Sequence, residues 1–230
     1  MKLKRNQYNL NMDWMERSAL VALTEHESLR LKQLLPMDVP SNLFSYHLQK
    51  LLTTGLIERK NGLYSLTPKG KQLAGQINVD TGRVRPQPKI IGMFYITNTQ
   101  GQVALFEWKR QPYYDYTSFP YGKFDFGKSL QNNTGDELYK KTSLNLRPKF
   151  VTDFYITITQ NGFVISHMLV HLFKAKVDNF ELRSMVRTGK CFWGTLDDAG
   201  LKYFPGTNDV AAMISGEQAA GIRDLIYDLS

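Results

Sequence analysis

The 230-residue chain has a single cysteine, Cys191. A lone thiol closes no internal disulfide and builds no cysteine-rich metal site. Long apolar runs are also missing. The longest, Phe163 to Phe173, is broken by Ser166, His167 and His171 and is too short to span a bilayer. The basic opening MKLKRNQYNLNMD has no apolar segment behind it, so no signal peptide is expected. The expectation is a soluble, cytoplasmic protein without a membrane partner. Low-complexity segments are absent too. A composition of 42% hydrophobic and 22% charged residues is that of a globular chain, and its length allows one large or two small domains.

What the chain has is positive charge, unevenly spread. The formal net charge is +8. Residues 1–86 hold 13 Lys/Arg against 7 Asp/Glu, a net of +6; the rest of the chain is close to balance at +2. A basic, compact N-terminal segment points to a polyanionic partner, nucleic acid first among them. A solvated, solubilising surface is the alternative meaning of the same charge.

The pattern in residues 13–77 is helical, then briefly strand-like. Asp13 is placed to cap a helix reaching about Glu25, with Trp14, Leu20, Val21 and Leu23 on its apolar face. Ser28 is placed to cap a short helix, LRLKQLL, that Pro36 stops. Pro40 and Ser41 open a third helix, about Asn42 to Thr54, which Gly55 ends. Its Phe44, His47, Leu48, Leu51 and Leu52 recur at helical spacing. Asn42, Ser45, Tyr46 and Gln49 fall on the other face. Next comes LIERKNGLYSL, two strands about an Asn61-Gly62 turn, and then a helix from Thr67-Pro68.

Three helices and a hairpin read as a winged helix. The run SNLFSYHLQKLLTTGLIERKNGLYSLTPKG resembles the recognition helix and wing of ArsR-like repressors. That resemblance implies double-stranded DNA as the partner. A recognition helix presents its outward side chains to base edges in the major groove. Here those are Ser41, Asn42, Ser45, Tyr46 and Gln49, of which Asn and Gln suit paired hydrogen bonds to adenine. Arg59 and Lys60 fall on the wing. Lys50, Lys69 and Lys71 are placed to meet phosphates. Winged helices also serve as docking modules. His47 is expected to be a packing histidine rather than a metal ligand.

Residues 78–88, NVDTGRVRPQP, lose apolar periodicity and read as a linker. Beyond them the pattern turns to strands: IIGMFYIT and QVALFEW, then KFVTDFYITITQ and GFVISHMLVHLFKAKV about Asn161-Gly162, then KCFWGTL. GTNDVAAMI and GEQAAGIRDLIYDL are expected as terminal helices. The expected division is 1–77, 78–88 and 89–230, in an α+β class.

Residues 122–144 carry the chemistry-bearing pattern. Gly122 to Ser129 satisfies the letter of a phosphate-binding G-x4-G-K-S loop. The reading is set aside: Phe124 and Phe126 are bulky where small residues let amides converge, YTSFPY is a poor strand, and no parallel βαβ alternation follows. The layout from the first hairpin through "FPYGKFDFGKSL…DELYKKTSL" and "CFWGTL" resembles a Nudix domain. With Gly122 at the first box position, the box glutamate falls on Lys128 and the Arg-Glu pair on Asp136-Glu137. Leu138 is the apolar position, the Glu-Glu pair falls on Lys140-Lys141, the glycine on Ser143 and the last apolar position on Leu144. The resemblance implies hydrolysis of nucleoside diphosphate derivatives by helix-held Mg²⁺. Only Glu137 keeps a box carboxylate, and an ammonium cannot coordinate Mg²⁺. No catalytic residue, metal site or cofactor is therefore expected.

Lys128, Glu137, Lys140 and Lys141 are instead expected to bind a nucleotide-type or phosphorylated effector, or else to form a solvated helix face. Tyr113, Tyr114, Tyr116 and Phe119 cluster ahead of the box. His167 and His171 share one side of a strand and are read as structural, as is Trp193 between sheet and helix. Cys191 is read as a buried hydrophobe.

The combined expectation is a homodimeric, DNA-binding transcription regulator with a catalytically degenerate Nudix-like sensor. Known regulators that join these two modules usually place the sensor first, the reverse of this order. A hydrolase with relocated metal ligands, Glu137 with Asp125 or Asp136, is the alternative. An interaction scaffold is a third reading.

Overall fold

The computed structural model describes residues 12–78, 80–178, 180–182, 187–215 and 223–229. The chain divides between Gln87 and Pro88 into two compact units. Each has its own apolar core.

In the first unit, Asp13 caps α1 (Trp14–Thr24) by accepting the Met15 N–H at 2.9 Å. Met15, Ala19, Leu20 and Leu23 form its buried stripe, whereas Trp14, expected inward, is half exposed. The stripe runs 15-19-23, so residue 14 is rotated out of it. The helix expected from Ser28 is shorter. Leu29 and Arg30 form β1 (Leu29–Arg30), and only α2 (Leu31–Leu34) is helical. The ladder partners of β1 are Tyr64 and Leu63, so its backbone is committed to the sheet.

Next, α3 (Ser41–Thr53) packs Phe44, Leu48 and Leu51 into the core. Gly55, at φ +69°, takes the left-handed conformation that ends it. β2 (Ile57–Lys60) and β3 (Leu63–Leu66) join through Asn61 and Gly62, both at positive φ as a type I′ turn requires. Thr67 caps α4 (Pro68–Ala74).

The segment expected to be a linker is partly structured. β4 (Ile77–Asn78) pairs with β5 (Arg83–Val84). Ile77 is buried and Val84 packs on the first core, which gives these residues a reason to fold back.

The second unit is built on one mixed sheet. Its strands are β6 (Lys89–Thr97), β7 (Val103–Trp108), β8 (Thr117–Ser118) and β9 (Tyr121–Lys123). α5 (Leu130–Thr142) follows. Then come β10 (Lys149–Gln160), β11 (Phe163–Lys176), β12 (Gly189–Gly194), α6 (Thr207–Ser215) and β13 (Arg223–Asp228). The order is β12-β7-β6-β11-β10-β13, with β8 paired to β7 and β9 to β6. The β6–β11 and β10–β13 ladders are parallel and the others antiparallel. Phe94, Phe106, Phe119, Leu138, Phe154 and Val170 are at the centre of the core. Cys191 is buried with them, and burial pushes its thiol up to about 12.

The last segment departs from expectation. The sequence pattern predicts helix here, but the described part is β13, with residues 216–222 outside the described set. Arg223, Leu225 and Tyr227 turn inward in alternation with exposed Asp224, Ile226 and Asp228. That period of two suits a strand, and β10 offers it an edge from Phe154 to Thr159. Trp193 also has a particular partner: its indole N–H donates to the Phe180 carbonyl at 2.8 Å.

The two faces of β13 should respond unequally to truncation. Leu225→Ala should cost about 1–3 kcal/mol and Ile226→Ala no more than about 0.5 kcal/mol, measured by urea unfolding. A helix here would not separate neighbouring residues in this way.

Candidate functional site

Two surfaces bring the chemistry-bearing residues together, one in each unit. In the first, α3 leaves Ser41, Asn42, Ser45, Tyr46, Gln49 and Lys50 exposed along one face. The helix is anchored from behind. Glu16 of α1, itself buried, accepts hydrogen bonds from Lys50 Nζ at 2.8 Å and pairs with His47 Nδ1 at 2.9 Å. Burial alone would raise the Glu16 carboxyl, but the Lys50 and His47 hydrogen bonds hold it below its ordinary value. The Lys50 ammonium also lies 5.6 Å from the Tyr46 ring centre, so its position is set by two neighbours.

On the hairpin, Arg59 lies 5.3 Å from the Tyr64 ring centre and Lys60 pairs with Glu58 at 2.9 Å. Lys69, expected to face phosphate, donates to the Thr54 carbonyl at 2.7 Å and so caps the end of α3.

In the second unit, α5 carries most of the Nudix-like box. Ser129 caps it by accepting the Asn132 N–H. Ser143 ends it at φ +64°, the left-handed conformation for which the box uses glycine. Asn133 fixes the preceding loop: its Oδ1 accepts the Asp125 N–H at 2.7 Å and its Nδ2 donates back to the Asp125 carbonyl at 3.1 Å. Glu137 is buried against Gly122, where an added Cβ would come within 2.0 Å of the carboxylate. This close approach is why β9 has a glycine there.

A cavity of about 500 Å³ opens beside Glu137. Of the four residues expected to bind a ligand, it is lined by Glu137, Lys140 and Lys141. Lys128 is not part of the lining; it bridges Asp125 at 2.7 Å and Asp136 at 3.1 Å. Lys140 pairs with Glu137, which raises its proton affinity. Lys141 lies over the Phe106 and Trp108 rings, 4.8 and 4.7 Å from their centres, and donates to Thr188 Oγ1 at 3.0 Å. Burial lowers its proton affinity.

The structure adds Lys89, Arg110 and Lys123 to the lining, together with Trp108, Tyr113, Tyr121 and Ser166. Sequence gave no periodic signal for these cations, because they lie on different strands and loops. Of the aromatic cluster, Tyr113 and Phe119 are buried and Tyr114 is half exposed. His171 pairs with Asp153 at 2.6 Å and stacks on Phe124, as a structural histidine does.

The residues present do not fit the divalent ion of the box. Lysines stand at three glutamate positions, and the remaining carboxylate is paired with Lys140. Asp125 and Asp136, the alternative ligands, are both held by Lys128. Among the described residues, no three His, Cys, Asp or Glu side chains group closely enough to hold a metal ion. No described helix is long and apolar enough to cross a membrane.

No family model matches the chain, and no curated protein matches it. Solved structures do. The Nudix domain of Shewanella oneidensis NrtR, complexed with ADP ribose, aligns at a TM-score of 0.50 and 10% identity, over 66% of this chain and 99% of that one. The second unit has a Nudix fold. MutT proteins from Bacillus halodurans (TM-score 0.47, 19% identity, 61% of this chain and 91% of that one) and Burkholderia pseudomallei (0.48, 18%, 56% and 99%) are further structural neighbours.

Two substitutions test these geometries. Because the Glu16 carboxyl is depressed in the folded state, its stabilisation is present above the ordinary carboxylate range and lost as pH falls through the depressed value. Glu16→Gln should lower stability at neutral pH and flatten its acid dependence, followed by thermal unfolding between pH 3 and 7. Gly122→Ala should cost about 1–3 kcal/mol by forcing Glu137 aside. Unchanged stability would mean that the strand and helix separate freely.

Proposed function

We propose that this chain is a transcription regulator. Its first unit is a winged helix that binds double-stranded DNA, as a homodimer on a two-fold symmetric site. Its Nudix-fold unit binds a nucleotide-type or phosphorylated effector without hydrolysing it. The observation that carries the DNA reading is the outward face of α3: Ser41, Asn42, Ser45, Tyr46 and Gln49 are exposed together, with Lys50 beside them. Arg59 and Lys60 follow on a hairpin joined by a tight turn. The net +6 of residues 1–86 supports the same partner. α3 would enter the major groove while the hairpin meets the backbone or minor groove.

The effector reading rests on the cavity beside Glu137. Its lining has five cations, Lys89, Arg110, Lys123, Lys140 and Lys141, against Asp125 and Glu137. Cations where a diphosphate-cleaving box has metal ligands suit direct anion binding. ADP ribose in the NrtR Nudix domain makes a nucleotide-type ligand a reasonable first choice for this chain. Such a ligand can regulate DNA binding only through unequal affinity for the DNA-competent and DNA-incompetent states.

Selection from a random duplex library at near-physiological salt should recover a shared symmetric motif. On that site Asn42→Ala and Gln49→Ala should each cost about 1–3 kcal/mol and spare random DNA. Arg59→Ala and Lys60→Ala should weaken all sequences and lower the salt slope by about one per lost phosphate contact. Equal loss on specific and random DNA from the α3 substitutions would overturn the assignment of readers. Mg²⁺-dependent turnover of nucleotide sugars, dinucleotides or ADP-ribose, lost in Glu137→Gln, would overturn the non-hydrolytic reading.

A further inference from the structure

The cations of the Nudix-fold cavity fall into two groups. At one end, Lys89 Nζ donates to Ser166 Oγ at 3.0 Å, with Lys123 close enough to lower its proton affinity together with burial. Tyr113 is buried with its hydroxyl beside Ser166, the group that also accepts from Lys89. At the other end, Lys141 is anchored to Thr188 and lies near Lys140 and Arg110.

The sheet sets the separation. Thr188 immediately precedes β12 and Ser166 is on β11, three places along in the order β12-β7-β6-β11. Two strands, β7 and β6, therefore stand between the strands that carry the two anchors. β6 and β7 are paired only at Thr97 and Val103, which leaves room between the two ends.

Gathering like charges in a half-enclosed cavity costs stability unless a counter-charge arrives. At the Lys89 end the one Ser166 hydroxyl meets both the Lys89 ammonium and the Tyr113 hydroxyl, so two donors share a single side-chain oxygen. We propose that the cavity binds a small molecule with phosphates on two separate carbons, one phosphate at Lys89, Ser166 and Tyr113, the other at Lys140, Lys141 and Arg110. This rests on the effector reading above and narrows it. A linear diphosphate shares one bridging oxygen between its phosphorus atoms and reaches only one end. A two-carbon bisphosphate reaches both. Trp108 and Tyr121, with ring centres 4.4 Å apart, give the same cavity an apolar wall, and Lys141 lies over the Trp108 ring.

The test is calorimetry on the full chain with EDTA present, using adenosine 5′-monophosphate, adenosine 5′-diphosphate, adenosine 3′,5′-bisphosphate and fructose 1,6-bisphosphate. At least one bisphosphate should bind about tenfold more tightly than either 5′-nucleotide, as a second charge-assisted contact set predicts. The two bisphosphates separate a nucleoside source from a sugar source. Lys89→Gln and Lys141→Gln should each remove about that tenfold advantage. Tyr113→Phe keeps the ring packed on Phe204 and removes only the hydroxyl, so it should weaken the bisphosphate in a folded protein. A diphosphate as tight as both bisphosphates, or a Tyr113→Phe protein that binds as the parent does, overturns the two-ended site and leaves the effector reading standing. Failure of all four probes to bind overturns both.

Discussion

The second unit depends on how β6 shares its two edges. One edge is paired in parallel with β11 from Lys89 to Thr97. The other meets β7 only at Thr97 and is then paired with β9 through Ile91, Gly92 and Met93. A strand edge has one set of N–H and C=O groups, so pairing with β9 means parting from β7. That parting opens the sheet, and the cavity, the start of α5 and the Glu137–Gly122 contact all follow from it.

Electrostatics then decides what the opened site can do. In the box pattern the helix carboxylates gather a cation. Here lysines replace them, and the remaining acids are neutralised within the protein: Glu137 by Lys140, Asp125 and Asp136 by Lys128. The surplus positive charge is left on the cavity wall, partly dehydrated. A site of this sign suits the direct anion binding proposed above, and of the four box glutamate positions it keeps a carboxylate only at Glu137. The same logic operates in the first unit with opposite sign. Buried Glu16 collects Lys50 and His47 and so fixes α1 against α3.

Legibility in the sequence followed the range of the interactions. α1, α3, the Asn61-Gly62 hairpin and the Asn161-Gly162 hairpin are written in caps, periodicities and turn residues a few positions apart. So is the polar outward face of α3. The misreadings fell where a distant strand overrode local preference. Local pattern favours helix at Leu29 and Arg30, but β3 draws them into a ladder; it favours helix at 223–228 as well, but that segment pairs along the edge of β10. Lys128 was grouped with Lys140 and Lys141 by the box spacing, yet the loop held by Asn133 turns it to Asp125 and Asp136.

The sequence by itself determined the order of elements over most of the chain, the charge skew and the loss of the box glutamates, because each is a property of residue identity or short-range spacing. Tertiary structure decided which cations share a cavity. Lys89, Arg110, Lys123 and Lys141 come from β6, the loop after β7, β9 and α5, and no local pattern links them. Only the sheet, by setting strand order and register, brings groups up to about fifty residues apart in sequence into the lining of one cavity.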